Sequence, residues 1–258
     1  MFKRKLFIVS TIILILVTAS ALFVKAQYVV PVIMYHKIDG DSSRSRLSVS
    51  PESFKRQMCF LKDSRYNVVK LEDLAEMAKK DKFPAKTIAI TFDDGYENNY
   101  INAYPVLEAL GLHATIFIIP AMVGTEGYMT WPQILEMSES RVITIGSHSM
   151  THPWLPDQPE QKMDSEIQDS KRAIESHLNK EVSAFSYPLG GFNNNVREKV
   201  IKAGYKIAVA TNPGKKYPKH DLFAMKRLRI SNTSDNLFVF WFEITGFYTW
   251  IKEHRDKD

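Results

Sequence analysis

The sequence has 258 residues, of which 45% are hydrophobic, and its formal net charge is +5 at pH 7. This length suits one domain of α/β-barrel size or two small ones, and the hydrophobic share is ordinary for a globular protein, which excludes a disordered or repetitive chain. The first 26 residues hold four of the five net positive charges, so about one remains elsewhere, which excludes the dense basic face of a nucleic-acid binder.

Residues 1–26 have the pattern of a targeting segment. A run of three basic residues precedes an apolar stretch at 6–24, and Val24-Lys25-Ala26 resembles a small-residue cleavage site. The apolar stretch is nearly long enough to span a bilayer, so an uncleaved signal anchor is the alternative to a signal peptide. In either case we expect residues 27–258 to be exported, as a secreted or membrane-anchored protein of the cell envelope. Membrane contact is then expected only through the apolar stretch, if it is not cleaved.

Further along the chain, β-type apolar runs alternate with helical patterns. Strands are predicted, in chain order, at residues 29–35, 68–69, 87–92, 114–119, 142–147, 184–187, 205–210 and 225–230. Helices are predicted from residue 51 onward and at 71–79, 98–110, 131–137, 161–179, 195–203 and 237–250, and a polar loop at 39–48. The alternation predicts an α/β fold with a parallel sheet. Seven or eight such units in this length predict an irregular (β/α) barrel of about seven strands, with its active site at the C-terminal strand ends.

Polar residues follow two of these predicted strands. His36 comes directly after the first strand, and Asp93 and Asp94 follow the strand at 87–92. Two adjacent carboxylates at the end of a buried strand repel each other, and they become tolerable if one binds a cation and the other accepts a proton. Gly95 lets the backbone turn sharply at this point. The alternatives are a surface turn for the Asp-Asp-Gly sequence and a core or strand-end position for His36.

A second polar motif follows the predicted strand at 142–147. His148 and His152 are four residues apart, so one helical turn would place both imidazoles on the same side. With Asp94 they make a set of three protein ligands, which together with an open fourth position is typical of a catalytic zinc site. Two imidazoles and one carboxylate would also accept cobalt or nickel. The sequence therefore predicts a divalent metal cofactor, with zinc preferred.

The segments TFDDGY and SHSMTHPWL, in this order, resemble the motifs of the polysaccharide deacetylase family, the NodB-homology or carbohydrate esterase 4 group. The resemblance extends from about Pro31 to about Ile230. The sequence VIMYH at its start is similar to one branch of the family, which includes the exported deacetylases of biofilm poly-N-acetylglucosamine. The resemblance implies that residues 27–258 form a catalytic domain that hydrolyses N-acetyl groups of a polysaccharide. Peptidoglycan, poly-N-acetylglucosamine and chitin-like polymers are the candidate substrates, and we expect a monomer.

The resemblance also implies roles for the site residues. Asp94 and the two histidines would hold the metal, and Asp93 would act as general base toward the attacking water. The backbone N–H of Tyr96 would stabilise the oxyanion. Most family members protonate the leaving amine with a histidine in a C-terminal Leu-x-His motif, which this sequence lacks. In the branch that begins with Met-Tyr-His, the first strand takes the place of the strand that carries this C-terminal histidine, by circular permutation. His36 is therefore the predicted general acid.

The sequence departs from the family pattern in its third motif. Most members carry there an arginine that orients the base, and Ser186 stands at that place here. Arg229, at the end of the last predicted strand, is the candidate to supply the charge, with an ordinary rim arginine as the alternative. Tyr187 and Leu189 are predicted to line the substrate groove, and Leu189 replaces the tyrosine that is usual in the family.

Three other functions stay open at this point. An O-acetyl esterase would use the same residues on an ester, and the altered third motif would suit a weak or inactive carbohydrate-binding barrel. A glycoside hydrolase could use Asp93 and Asp94 as its carboxylate pair. Neighbouring residues of a strand point to opposite faces, which makes the shared geometry of such a pair awkward.

Overall fold

The computed structural model describes residues 2–40, 47–80, 82–211, 213–214 and 216–255. Its strands are β1 Val32–Tyr35, β2 Lys37–Ile38, β3 Ser48–Val49, β4 Asn67–Val68, β5 Thr87–Phe92, β6 Ala114–Ile118, β7 Ile143–Ser147, β8 Ala184–Ser186, β9 Ile207–Ala210, β10 Met225–Lys226 and β11 Leu228–Arg229. Its α-helices are α1 Phe2–Ala26, α2 Pro51–Asp63, α3 Leu71–Lys79, α4 Tyr104–Leu110, α5 Trp131–Glu139, α6 Glu160–Leu178, α7 Asn194–Lys202, α8 Leu237–Glu243 and α9 Tyr248–Arg255. Most strands and helices lie within a few residues of their predicted positions.

The main sheet is parallel throughout and nearly closed. Its strands follow the order β10-β9-β8-β7-β6-β5-β1-β11, with β4 paired to β5, and β2 and β3 form a separate small pair. Because β5 and β6 are buried along their whole length, both faces of the sheet are covered, as parallel sheets require. This arrangement confirms the predicted irregular (β/α) barrel.

One short segment brings the two edges of this sheet together. Strand β10 pairs with β9, with Met225 opposite Val209, and strand β11 pairs with β1, with Leu228 opposite Ile33. Arg227 lies between β10 and β11 in the chain, so residues 225–229 run from one edge of the sheet to the other. We call this segment the barrel seam.

Aromatic packing fixes the strand ends beneath the polar motifs. Tyr35, at the end of β1, stacks on Phe92, at the end of β5, with ring centroids 5.3 Å apart, and Phe54 of α2 packs edge-on against both. All three are fully buried, and the Tyr35 hydroxyl donates to Gln57 Oε1 at 2.7 Å. Each such ring pair contributes about 0.5–1.5 kcal/mol beyond the apolar area that it buries. The residues that follow, His36 and Asp93, therefore start from rigid backbone.

Two predicted helices differ from those in the structure, and a predicted loop lies mostly outside the described residues. The helix predicted at 98–110 begins as a π-helix, Asn99–Ala103, and becomes α4 at Tyr104, one residue before Pro105. The helix predicted at 237–250 is two helices, because the chain turns at Gly246, whose φ is +83°. Most of the loop predicted at 39–48, namely 41–46, lies outside the described residues.

Helix α1 covers the predicted targeting segment. Among the helices that the structure describes, none combines the length and the apolar character that crossing a bilayer requires. Whether this segment is a signal peptide or an anchor stays a prediction.

Candidate active site

The polar motifs meet at one end of the barrel. Asp93 and Asp94 follow β5, His148 follows β7, His36 follows β1, and Ser186 ends β8. Because all these strands are parallel, their C-terminal ends lie at the same rim, which is where barrel enzymes place their catalytic groups. The structure thus brings together side chains that are up to 150 residues apart in sequence.

Asp93 is a buried carboxylate held by an arginine. Arg227 donates from Nη1 to Oδ1 and from Nη2 to Oδ2, both at 2.7 Å, and Nη2 also donates to Ser186 Oγ at 2.9 Å. The Arg227 side chain is 0% exposed and that of Asp93 4%. Burial raises the pKa of Asp93, but the charges of Arg227 and His148 and the hydrogen bonds from Arg227 outweigh it and hold that pKa well below its ordinary value. Asp93 is therefore ionised, and the two parallel hydrogen bonds fix its orientation.

The arginine that holds Asp93 is not the one predicted. Arg229 is exposed, whereas Arg227 from the middle of the barrel seam reaches the carboxylate. Ser186, which stands where the family usually has its arginine, is small enough to leave room for this guanidinium and accepts one of its hydrogen bonds.

Asp94 lies in a strained turn beside Asp93. Its φ is +73°, a left-handed conformation that costs about 1–3 kcal/mol for a residue with a side chain. Gly95 follows with φ +78°, and a Cβ added there would lie 3.1 Å from Ile118 Cγ2, so glycine suits both the turn and the space. Burial, and next the charge of Asp93, raise the pKa of Asp94. A cation beside Asp94 would relieve both effects.

His148 presents one ring nitrogen to the carboxylates. Its Nδ1 lies 2.8 Å from the Ser186 carbonyl oxygen, which fixes the tautomer in which Nδ1–H donates and Nε2 carries a free lone pair. Nε2 lies 3.5 Å from Asp94 Oδ1 and 3.7 Å from Asp93 Oδ2. Burial lowers the pKa of His148 to about 4, so the imidazole is neutral at pH 7, as a metal ligand must be.

His152 reaches the same place by a route that differs from the predicted helical turn. Residues 148–154 form no helix, and both Ser149 and His152 have positive φ, +63° and +61°. The Ser149 hydroxyl accepts from the His152 backbone N–H at 3.0 Å, and His152 Nε2 lies 3.6 Å from Asp94 Oδ1. The spacing of four residues did bring the two imidazoles together, but through a loop with two left-handed residues.

The three predicted ligands fit a divalent metal. Asp94, His148 and His152 each offer one ligand atom, and these atoms lie within 4.8 Å of one another. Tetrahedral ligands at about 2.0–2.1 Å from zinc are about 3.4 Å apart. The separations of 3.5 and 3.6 Å from Asp94 Oδ1 to the two Nε2 atoms match this spacing.

His36 lies within electrostatic range of the site. Burial lowers its pKa, and the charges of Asp93 and Asp94 oppose this effect, while those of Arg227 and Arg229 add to it. The result is a lowered pKa, so His36 is mainly neutral at pH 7. Its buried Nδ1 has no hydrogen-bond partner among the described residues.

The remaining predicted residues fall into different environments. Tyr96 stacks on Tyr128 with centroids 5.0 Å apart, and Lys37 Nζ lies 4.6 Å above the Tyr96 ring. Leu189 is 66% exposed, just beyond the end of β8. Tyr187, in contrast, is fully buried and donates its hydroxyl to the Phe223 carbonyl at 3.0 Å, so the prediction that it lines a groove is wrong.

Comparisons with known proteins show the family to which this chain is similar. The family model described as polysaccharide deacetylase matches residues 80–208. The Bacillus subtilis (strain 168) protein YxkH, placed by name among the polysaccharide deacetylases, is 36% identical over 202 residues, which cover 78% of this chain and 71% of that protein. The poly-beta-1,6-N-acetyl-D-glucosamine N-deacetylase of Staphylococcus aureus (strain MRSA252) is 26% identical over 210 residues, covering 75% of this chain and 72% of that enzyme.

A solved structure extends the similarity to three dimensions. The Streptococcus pyogenes deacetylase PplD, in complex with acetate, superposes with a TM-score of 0.73 at 27% identity. The match covers 82% of this chain and 97% of that one. The fold, the sequence motifs and the overall similarity therefore all indicate the same family.

Proposed function

This chain belongs to the polysaccharide deacetylase family and is a deacetylase, and from this premise we propose that it is a metal-dependent enzyme that removes N-acetyl groups from N-acetylglucosamine-containing polysaccharide. The observation that carries the proposal is the placement of an ionised, arginine-held Asp93 beside a three-ligand set. An inactive carbohydrate-binding barrel would have no use for this costly arrangement of buried charge.

Asp94, His148 and His152 are the residues that would hold the metal. A bound divalent cation polarises an amide carbonyl and lowers the pKa of water. Zinc suits a set of two imidazoles and one carboxylate, and cobalt or nickel would also fit. The environments of the two neighbouring carboxylates support a division of roles, because burial and Asp93 disfavour the free anion of Asp94, whereas Arg227 stabilises that of Asp93.

Asp93 is the proposed general base. Arg227 donates one hydrogen bond to each oxygen of the Asp93 carboxylate, and Ser186 Oγ donates a longer one, 3.4 Å, to Oδ2. Among the described residues only Arg227 donates to Oδ1, so this oxygen keeps an acceptor position. Oδ2 lies 3.7 Å from His148 Nε2, so the carboxylate borders the space in which the ligand atoms converge. Arg227 is the proposed positioning residue for this base.

His36 is the proposed proton donor to the leaving amine. It is neutral before the reaction, so it must first take up a proton from solvent, and the nearby charges of Asp93 and Asp94 favour the protonated imidazolium. The oxyanion of the addition step would accept a hydrogen bond from the Tyr96 backbone N–H. Leu189, exposed at the rim, would contact the sugar chain.

The substrate we propose is an extracellular polysaccharide. The name of the staphylococcal relative, a poly-beta-1,6-N-acetyl-D-glucosamine N-deacetylase, supports an N-acetylglucosamine polymer, and peptidoglycan and chitin-like polymers are the other candidates. Export through residues 1–26, followed by secretion or anchoring at the cell envelope, would place the enzyme beside such a substrate.

The proposal is tested by acetate release from oligomers of N-acetylglucosamine and from peptidoglycan. We expect release that stops with a chelator and returns with zinc, cobalt or nickel. Asp93→Asn should abolish release while the protein still binds metal, Asp94→Asn should lose both, and Asp157→Asn, an exposed carboxylate beyond the histidine motif, should change neither.

Three outcomes would contradict the proposal. Release that survives Asp93→Asn would move the base elsewhere. Acetate obtained only from O-acetylated sugars would identify an esterase. Sugar binding without acetate from any substrate, at any metal, would identify a carbohydrate-binding barrel.

A further inference from the structure

A buried carboxylate that takes no part in the proposed chemistry lies directly behind the histidine loop. Glu166, in the middle of α6, is 0% exposed at its side chain. Lys162, one turn earlier, is 47% exposed and pairs with Glu166 Oε1 at 2.7 Å. Burial raises the pKa of Glu166, but hydrogen bonds from Lys162 and Thr151 outweigh it and lower that pKa, so the carboxylate is ionised. A buried charge of this kind is costly unless it is fully hydrogen-bonded.

The hydrogen bonds of Glu166 go to the residues that precede His152. The Thr151 backbone N–H donates to Oε2 at 2.7 Å, and the Thr151 hydroxyl donates to Oε1 at 2.6 Å. The Met150 backbone N–H donates to the carbonyl oxygen of Glu166 at 3.0 Å. One residue of a rigid helix therefore accepts three hydrogen bonds from two consecutive loop residues.

His152 depends on this loop more than His148 does. His148 directly follows β7, and its ring is fixed by the Ser186 carbonyl. His152 lies four residues further along, after Ser149, and both Ser149 and His152 are in the left-handed region. Such conformations persist only where the surroundings hold them, and Glu166 supplies most of the hydrogen bonds to the residues between them.

We propose that Glu166 is a positioning residue for the metal site, which presets His152 for ligation through the backbone and hydroxyl of Thr151. This inference rests on the proposed function, because it assumes that Asp94, His148 and His152 hold a metal. Residues that orient ligands from outside the coordination shell typically change metal affinity by about 10–100-fold when they are mutated. The expected effect is on affinity for the metal first and on turnover only through metal occupancy.

The experiment compares Glu166→Gln and Thr151→Val with a matched control. Glu166→Gln keeps the shape but turns one acceptor oxygen into a donor, and Thr151→Val keeps the volume but removes the hydroxyl. Glu175→Gln is the control, because Glu175 lies on the same helix and also accepts from a lysine and a backbone N–H, those of Lys171 and Val182, away from the site. Affinity for Zn²⁺ alone is measured by chelator competition, and the visible spectrum of bound Co²⁺ reports the coordination geometry.

We expect Glu166→Gln and Thr151→Val to bind Zn²⁺ about 10–100-fold more weakly and to change the Co²⁺ spectrum. Both variants should recover acetate release at saturating zinc. The Glu175→Gln variant should bind like the wild type. Unchanged zinc affinity in Glu166→Gln, with a lower melting temperature, would show that Glu166 only stabilises the fold and would overturn the inference. A wild-type chain that binds neither zinc, cobalt nor nickel would overturn the proposed function itself, whatever the variants do.

Discussion

The hydrogen bonds between Arg227 and Asp93 give the sharpest test of the site. The change is Arg227→Met, which keeps much of the side-chain length and removes the guanidinium. Asp93 would then be a buried carboxylate without its partner, and breaking a buried pair in this way costs about 3–5 kcal/mol of folding free energy. Asp93→Asn in the same chain removes the stranded charge, so the double variant should recover part of this loss.

The same change should alter the pH dependence of the reaction. Without the guanidinium, burial acts unopposed by Arg227 and raises the pKa of Asp93 from its present low value. The acid limb of the rate profile, where the base becomes protonated, should therefore move to higher pH. The loss of acetate release should not exceed the factor of about 10²–10⁴ that a general base itself contributes, because Arg227 acts only through Asp93.

The matched control is Arg229→Met, two residues along the same segment and exposed. We expect it to change the free energy of unfolding by no more than about 0.5 kcal/mol. Urea unfolding and acetate release across the acid range measure both effects. If Arg229→Met moved the acid limb and Arg227→Met did not, the assignment of the arginine to Asp93 would be wrong.

Three further predictions concern the acid, the metal ligand and the core. His36→Ala should lower acetate release by about 10²–10⁴-fold without weakening metal binding. His254→Ala, on the exposed face of α9, should leave release unchanged. The opposite pattern would assign the general acid to the C-terminal histidine. In chelator-treated protein, the pKa of His148 is about 4 in the folded state against an ordinary 6.5. Its contribution to the free energy of unfolding is therefore complete above pH 6.5 and falls by about 3 kcal/mol as the pH is lowered toward 4. Urea unfolding of the wild type and of His148→Phe across this pH range tests this, and an equal dependence of stability on pH in both proteins would contradict it. Phe92→Ala should destabilise the fold by about 3–5 kcal/mol, while Phe238→Ala, at a side chain that is 69% exposed, should stay within about 0.5 kcal/mol; similar losses in both would contradict the packing argument.

The parts of the site that the sequence predicted are those encoded by local pattern. Asp93 and Asp94 follow a continuous apolar run, and His148 follows another, so the strand ends could be read directly and their meeting follows from parallel topology. For the loop from His148 to His152, the sequence predicted the right residues, but the predicted helical turn is the wrong backbone conformation. Thr151, which lies between the two left-handed residues of this loop, is hydrogen-bonded to Glu166 of α6, 15 residues further along the chain. The four-residue spacing of the histidines carries no information about this tertiary contact.

Tyr187 and Arg229 were misplaced for a related reason. The face that a strand residue presents alternates along the chain, so an uncertainty of one residue at a strand end exchanges buried and exposed positions, and an uncertainty of two residues moves a side chain along the same face. Tyr187 follows β8 by one residue and turns into the core, with its hydroxyl bound to a backbone carbonyl. One signal for Arg227 was nevertheless present in the sequence. It is an arginine in the middle of the strand predicted at 225–230, and an arginine that is buried there requires a carboxylate partner.

The position of Arg227 links closure of the barrel to the chemistry. Its backbone N–H donates to the Ala210 carbonyl of β9 at 3.1 Å, while two residues later in the chain the seam pairs with β1, which leads to His36. The guanidinium that holds Asp93 therefore comes from the segment that joins both edges of the sheet. The family motif places the arginine at the end of β8, where Ser186 stands. The carboxylate of Asp93, however, requires only a guanidinium within hydrogen-bond distance, whichever strand carries it. Because the seam brings Arg227 within that distance, it can supply the charge from a different strand, and the departure in the third motif does not by itself imply an inactive enzyme.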